Sequence, residues 1–223
     1  MKKKNPVAPQ GVICAFLIAI LVLSASVTAT LFDRGAYDRL QKKLGLPESA
    51  GIGEVELLEN YNALIAYNSV FYRGPLSFPS LAMSEAGRIH FEEVKNIFSV
   101  FQIALMASAA PAALLGVFLF RKRRFRFLAL GGILALAIPA AVVLAMLAIG
   151  WDRFFVIFHK VFFNNDFWVF DASTDPVILI LPDAFFLDCL VRIVACIAIS
   201  AVLIIVSSAI LKRFCPISGQ TLE

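Results

Sequence analysis

Charged residues are scarce in this chain. Only 16% of its 223 positions are Asp, Glu, Lys or Arg, against 60% hydrophobic and a mean hydropathy of +0.84. That is too little charge to cover a soluble domain in water. Histidine is scarcer still, with two copies, His90 and His159. The four cysteines, Cys14, Cys189, Cys196 and Cys215, form no CxxC pair, so thiol exchange, which needs paired accessible thiols, is not indicated. No GxSxG elbow is present, and His90 is followed by Phe91-Glu92-Glu93-Val94, without the second histidine of HExxH. Two histidines are too few for a catalytic zinc, which usually takes three protein ligands, so no metal is expected. A glycine-rich phosphate loop is also missing, and no cofactor is expected. Serine lipase, metalloprotease and ATPase readings therefore lack support.

Long apolar runs are what the chain does have. A bilayer core of roughly 30 Å takes about 20 apolar residues per helix, and four such runs occur, at about 11–32, 96–120, 127–151 and 184–211. These predict an all-α integral membrane protein: a four-helix bundle forming one membrane domain over residues 1–223. Pro111 and Pro139 fall inside the second and third runs, where bilayer helices tolerate proline. Kinks are expected there rather than breaks. The first run follows Lys2, Lys3 and Lys4 as a signal peptide would, but it exceeds the 7 to 15 residues of a signal core. It is read as an uncleaved helix.

The basic residues orient the bundle. Lys2, Lys3 and Lys4 precede the first run; Arg121, Lys122, Arg123, Arg124 and Arg126 join the second to the third; Lys212 and Arg213 follow the fourth. Those ten share their segments with one acid, Glu223, whereas the remaining segments hold fifteen acids and ten basic residues. The positive-inside rule then puts both termini and the 121–126 loop in the cytoplasm and segments 33–95 and 152–183 outside. The basic cluster suits anionic membrane lipids. Nucleic acid is not an expected partner.

The first outer segment opens polar and then places Leu57, Tyr61, Leu64 and Ile65 at helical spacing, ending at Gly74-Pro75. A short interfacial helix followed by a loop is expected. Ser84 can cap a helix from Glu85 into the second span. The second outer segment carries Trp151, Trp168 and a run of phenylalanines, with Arg153 and Lys160 among them. It reads as an amphipathic collar at the headgroup level.

Each outer segment contributes one histidine. An imidazole titrating near 6.5 can take and give protons at neutral pH, although from spacing alone a plain interfacial polar role is the better reading of each residue. Glu93, three residues beyond His90, shares its helical face and is placed to orient it. Asp188 and Arg192 form an i, i+4 pair, and an arginine in an apolar run is either ion-paired or waiting for an anionic or carbonyl oxygen. Alternative readings from other classes are a non-catalytic membrane scaffold gripping a partner protein, and a small transporter.

At these histidines the sequence resembles the lipoprotein intramolecular transacylase family of Gram-positive bacteria. SEAGRIHFEEVKNIF is similar to its His-x-x-Asp-Val-Lys motif, with Phe91 in place of methionine, Glu93 in the acidic position and Val94-Lys95 matching. FHKVFFNNDFWVFDASTDPVILILPDAFF resembles the family's second region through His159, Phe162, Phe163, Trp168, Asp171, Asp175, Leu181, Pro182, Phe185 and Phe186, and NYNALIAYN is also family-like. The resemblance implies a bacterial plasma-membrane enzyme acting on diacylglyceryl-modified lipoproteins. Its reaction would move the sn-2 acyl chain to the α-amino group of the N-terminal cysteine at the outer face. His90 and His159 would be the acid and base, supported by Glu93, Lys95, Trp168, Asp171, Asp175 and Arg192.

Overall fold

The computed structural model describes residues 9–214, so Lys2, Lys3, Lys4, Cys215 and Glu223 lie outside the described residues. Among the described residues every regular element is a helix. The order is α1 Pro9–Phe32, α2 Arg34–Leu44, α3 Leu46–Ala50, α4 Glu54–Tyr67, α5 Glu85–Arg121, α6 Arg126–Ile149, α7 Trp151–Phe162, α8 Val177–Ile180 and α9 Asp183–Phe214. Four of these, α1, α5, α6 and α9, are long and apolar enough to cross a bilayer. Both α5 and α6 continue through their prolines, Pro111 and Pro139.

The chain divides into two compact units. The first comprises 9–26, 103–143 and 194–214 of the described residues. Its helices meet where side chains are smallest. A Cβ on Gly11 would lie 2.4 Å from the Phe127 ring, one on Gly131 2.8 Å from Ile18, and one on Gly132 3.0 Å from the Ala201 carbonyl. Close backbone approach of this kind replaces the hydrophobic effect as the force joining helices in lipid. The Ser208 hydroxyl donates to the Phe125 carbonyl at 2.6 Å, satisfying itself on backbone.

The second unit comprises 27–102 and 144–193. The sequence predicts one short helix and a loop in its first stretch; that helix is α4 and the loop follows it, while the polar stretch ahead of it forms two further helices, α2 and α3. Asp33 caps α2 by accepting from the Ala36 amide at 3.0 Å, and Gly45 and Gly51, both at positive φ, end α2 and α3. The polar surface of α2 conceals a buried stripe of Ala36, Tyr37 and Gln41. Tyr37 stacks on Tyr61 at 3.5 Å between ring centroids and donates its hydroxyl to the Ile180 carbonyl at 2.8 Å. Leu46, Leu57, Val177 and Ile180 complete this core.

α5 begins as the sequence expects, with the Gly87 amide donating to the Ser84 hydroxyl at 3.0 Å. A second contact reinforces that end: the Ser84 amide donates to Asp175 Oδ1 at 2.8 Å. α7 buries His159 and exposes Ile157, Phe158, Val161 and Phe162.

Candidate active site

His90, in the second turn of α5, and His159, in the last turns of α7, come together within the second unit. Their ring centroids are 6.2 Å apart, and both side chains are buried, at 6% and 9% exposure. Aromatic rings enclose them. Phe163 lies 4.8 Å from His90 and 5.7 Å from His159, and Phe170 lies 5.4 Å from His90 while stacking on Phe91. Trp168 stacks on His159 at 4.7 Å and Phe155 sits 4.2 Å from it.

The two imidazoles differ in their partners. His159 Nδ1 lies 2.8 Å from the Phe155 carbonyl oxygen. A carbonyl only accepts, so Nδ1 carries the proton and Nε2 keeps its lone pair. Burial pushes His159 below its ordinary value of 6.5, with the Phe155 hydrogen bond and the charge of Asp183 opposing that shift. His90 Nδ1 is buried with no partner, as are the indole nitrogens of Trp151 and Trp168. Buried polar atoms without partners are uncommon in folded proteins. Of these three, one belongs to His90 itself and another to Trp168, whose ring stacks on His159.

The remaining sequence-predicted residues take different places. Glu93 does not orient His90: its Oε1 accepts from Asn165 Nδ2 at 2.9 Å, while Oε2 is buried and unpartnered. The i, i+3 spacing puts the two side chains on one face, but a loop amide 72 residues away competes for the carboxylate. Asp175, 3% exposed, holds the Ser84 amide and accepts from the Thr174 hydroxyl. Asp171 is exposed and closes a local turn through Ser173. Lys95 donates to the Tyr72 carbonyl at 2.9 Å and lies 4.2 Å from the Tyr67 ring centroid. Arg192 pairs with Asp188 as its spacing suggests, and also with Asp33 at 2.9 Å, beside a small cavity lined by Tyr37, Tyr61 and Phe185. Asn165, Phe170 and Gly87 carry no pattern in the sequence that marks them out. Their importance comes from contacts across the fold.

The family model described as "Lipoprotein intramolecular transacylase Lit" matches residues 12–186. The chain belongs to the lipoprotein intramolecular transacylase family. The in meso structure of the membrane integral lipoprotein intramolecular transacylase Lit from Bacillus cereus is similar over 92% of this chain and 95% of that one, at 35% identity and a TM-score of 0.87. Two structures of the same Bacillus cereus enzyme, with a histidine replaced by arginine in one and by alanine in the other, each match at 34% identity and a TM-score of 0.83. They cover 92% of this chain and 91% and 93% of theirs. Comparison with curated protein sequences finds no match. The lipoprotein intramolecular transacylase family thus supplies both the all-helical membrane fold and the enzyme class. This protein is a multi-pass membrane transacylase.

Proposed function

We propose that the enzyme moves the sn-2 acyl chain of a diacylglyceryl-modified lipoprotein onto the α-amino group of that lipoprotein's N-terminal cysteine. The observation carrying this reading is the pair of buried imidazoles 6.2 Å apart, with His159 Nδ1 committed to a carbonyl and its Nε2 left basic. Ester and amine belong to one substrate molecule, so the main task is to fold it into near-attack geometry. An α-amino group titrates near 8 and needs only to lose a proton to attack; no activated serine is required.

His159 Nε2 takes a proton from the amine as nitrogen bonds to the ester carbonyl carbon. The tetrahedral oxyanion is supported by an N–H of His90. Collapse breaks the bond to the glyceryl oxygen, which receives the proton back from the His159 imidazolium. One amide and one alcohol replace one amine and one ester, and the histidines end as they began. The phenylalanines around the rings shelter the acyl chains, and Trp168 holds the His159 ring by stacking. Asp175, Asp171 and Lys95 support the loops around the site, while Arg192 braces α9 against Asp33.

The reaction belongs at the outer face of the bacterial plasma membrane. The positive-inside rule favours this, since Arg121 ends the helix on which His90 stands and Lys122, Arg123, Arg124 and Arg126 follow it in the chain. Mass spectrometry of lipoprotein N-termini, from a host with no other N-acylating activity, tests the whole reading. Wild type should shift one acyl chain from glycerol oxygen to amine, and His90→Ala or His159→Ala should reduce that shift by about 10²- to 10⁴-fold. Unchanged N-acyl lyso product in both variants overturns it.

A further inference from the structure

Glu93 is a carboxylate with half of its hydrogen-bonding capacity unused. Asn165 Nδ2 fixes Oε1 at 2.9 Å, and Oε2 is shut away from solvent with nothing bound to it. Nearby cations are engaged elsewhere: Arg88 pairs with Glu85 and Glu92, and Lys95 is held by the Tyr72 carbonyl and the Tyr67 ring. A shielded carboxylate oxygen without a donor costs free energy, and an arriving cation that fills it recovers that cost. The same short segment that brings Asn165 to Glu93 brings Phe163 to within 4.8 Å of His90. Glu93 and His90 therefore share one face of α5 under one cover. His90, nine-tenths buried with an unpartnered Nδ1, is a second orphaned polar group at that place.

We infer that Glu93, held in position by Asn165, binds the α-ammonium group of the substrate's N-terminal cysteine. The inference rests on the acyl transfer proposed above and specifies how its nucleophile is recognised. A charge-assisted hydrogen bond from the ammonium to Oε2 anchors the amine end beside the histidines. One proton of the bound ammonium passes to solvent before attack, leaving a neutral amine that keeps an N–H on the carboxylate while its lone pair turns towards the ester; His159 then takes the second proton as the nitrogen–carbon bond forms. Asn165 keeps the carboxylate from swinging. The site thereby distinguishes a lipoprotein with a free N-terminus from one already N-acylated, whose amide N–H carries no charge and is a weaker donor to Oε2.

Two lipopeptides with ether-linked chains, which have no acyl group to transfer, provide the test. One has a free α-amine and the other has a des-amino cysteine. Each is used as an inhibitor of the full-length enzyme in detergent micelles. Wild type should prefer the amine-bearing ligand by about tenfold, and Glu93→Gln should reduce that preference to about twofold or less. Binding of the des-amino ligand should be unchanged, which also reports that the variant is folded. Asn165→Ala should fall between the two, and Glu93→Asp should restore part of the preference. A preference retained in Glu93→Gln overturns the inference, as does an equal loss for both ligands. Product analysis on the diacyl lipopeptide separates the two ideas: if wild type forms no N-acyl product the transfer reading fails, whereas normal product with no amine preference overturns the Glu93 assignment alone.

Discussion

The two units of the chain handle buried polar groups in opposite ways. In the unit of residues 9–26, 103–143 and 194–214, buried serines turn back onto backbone carbonyls, as Ser26 does on Val22 and Ser208 on Phe125. In the other unit several buried polar atoms are left open, although Tyr37 and Asp175 find partners. Thr28, Gln41, Asn62, Asn68, His90, Glu93, Trp151 and Trp168 each carry one without a partner, and among the described residues all such atoms fall there. Unsatisfied buried groups cost stability. A region that keeps them is organised for something besides its own folding, whereas the glycine-lined helix contacts of the first unit serve packing.

Beyond replacing the histidines themselves, the sharpest way to break this contrast is Gly87→Ala. A Cβ there would stand 2.2 Å from Asp175 Oδ1 and 3.3 Å from the Phe170 ring. Asp175 cannot retreat without releasing the Ser84 amide, and Phe170 packs directly on His90. The substitution pushes the loop carrying Trp168 and Phe170 away from the helix carrying His90. A displacement near 1 Å in a reacting constellation costs about 10²-fold in rate. We expect kcat to fall by that order, with a smaller change in the ether-ligand affinity, measured by lipopeptide turnover and competition. Retained kcat would show that the loop position is not coupled to catalysis.

A pH series gives a smaller effect and tests the state of His159. Its value lies below 6.5 because burial disfavours the imidazolium. The neutral, proton-accepting form therefore persists above that lowered value and is lost as pH falls through it. Turnover should show an acid limb with a midpoint below 6.5, falling about tenfold per unit beneath it and separate from the amine's own step near 8. An acid limb centred above 6.5, or one that survives in the residual rate of His159→Ala, would remove His159 as the base.

How much of this was legible before the fold is set by the range over which each feature acts. The four spans could be read because a bilayer imposes a length and a composition that need no tertiary partner. α2 and α3 could not, since their polar surfaces hide only Ala36, Tyr37, Gln41 and Leu46, and their ends depend on glycines at positive φ. The histidines stood out by rarity, but their convergence required α7 to turn His159 inward. The aromatics around them read equally well as a membrane collar, because a phenylalanine that packs on an imidazole and one that packs on lipid look alike in sequence. Glu93 shows the limit most clearly: helical spacing paired it with His90, while its actual partner, Asn165, arrives from a separate loop.

The comparison is sharpened last by a substitution expected to leave turnover alone. Gly131→Ala places a Cβ 2.8 Å from Ile18 and 3.1 Å from the Ala15 carbonyl, forcing apart helices that meet through the absence of a side chain. Overpacking of this kind costs about 1 to 3 kcal/mol. The melting temperature in detergent should fall, yet kcat per folded molecule should match wild type, because no group near Gly131 touches the histidine pair. The same one-carbon addition at Gly87 and at Gly131 would then have separable outcomes, one read in rate and the other in stability. Equal losses of kcat at both positions would mean that the helix contacts of the first unit also hold the catalytic geometry, and the division between the two units would be structural without being functional.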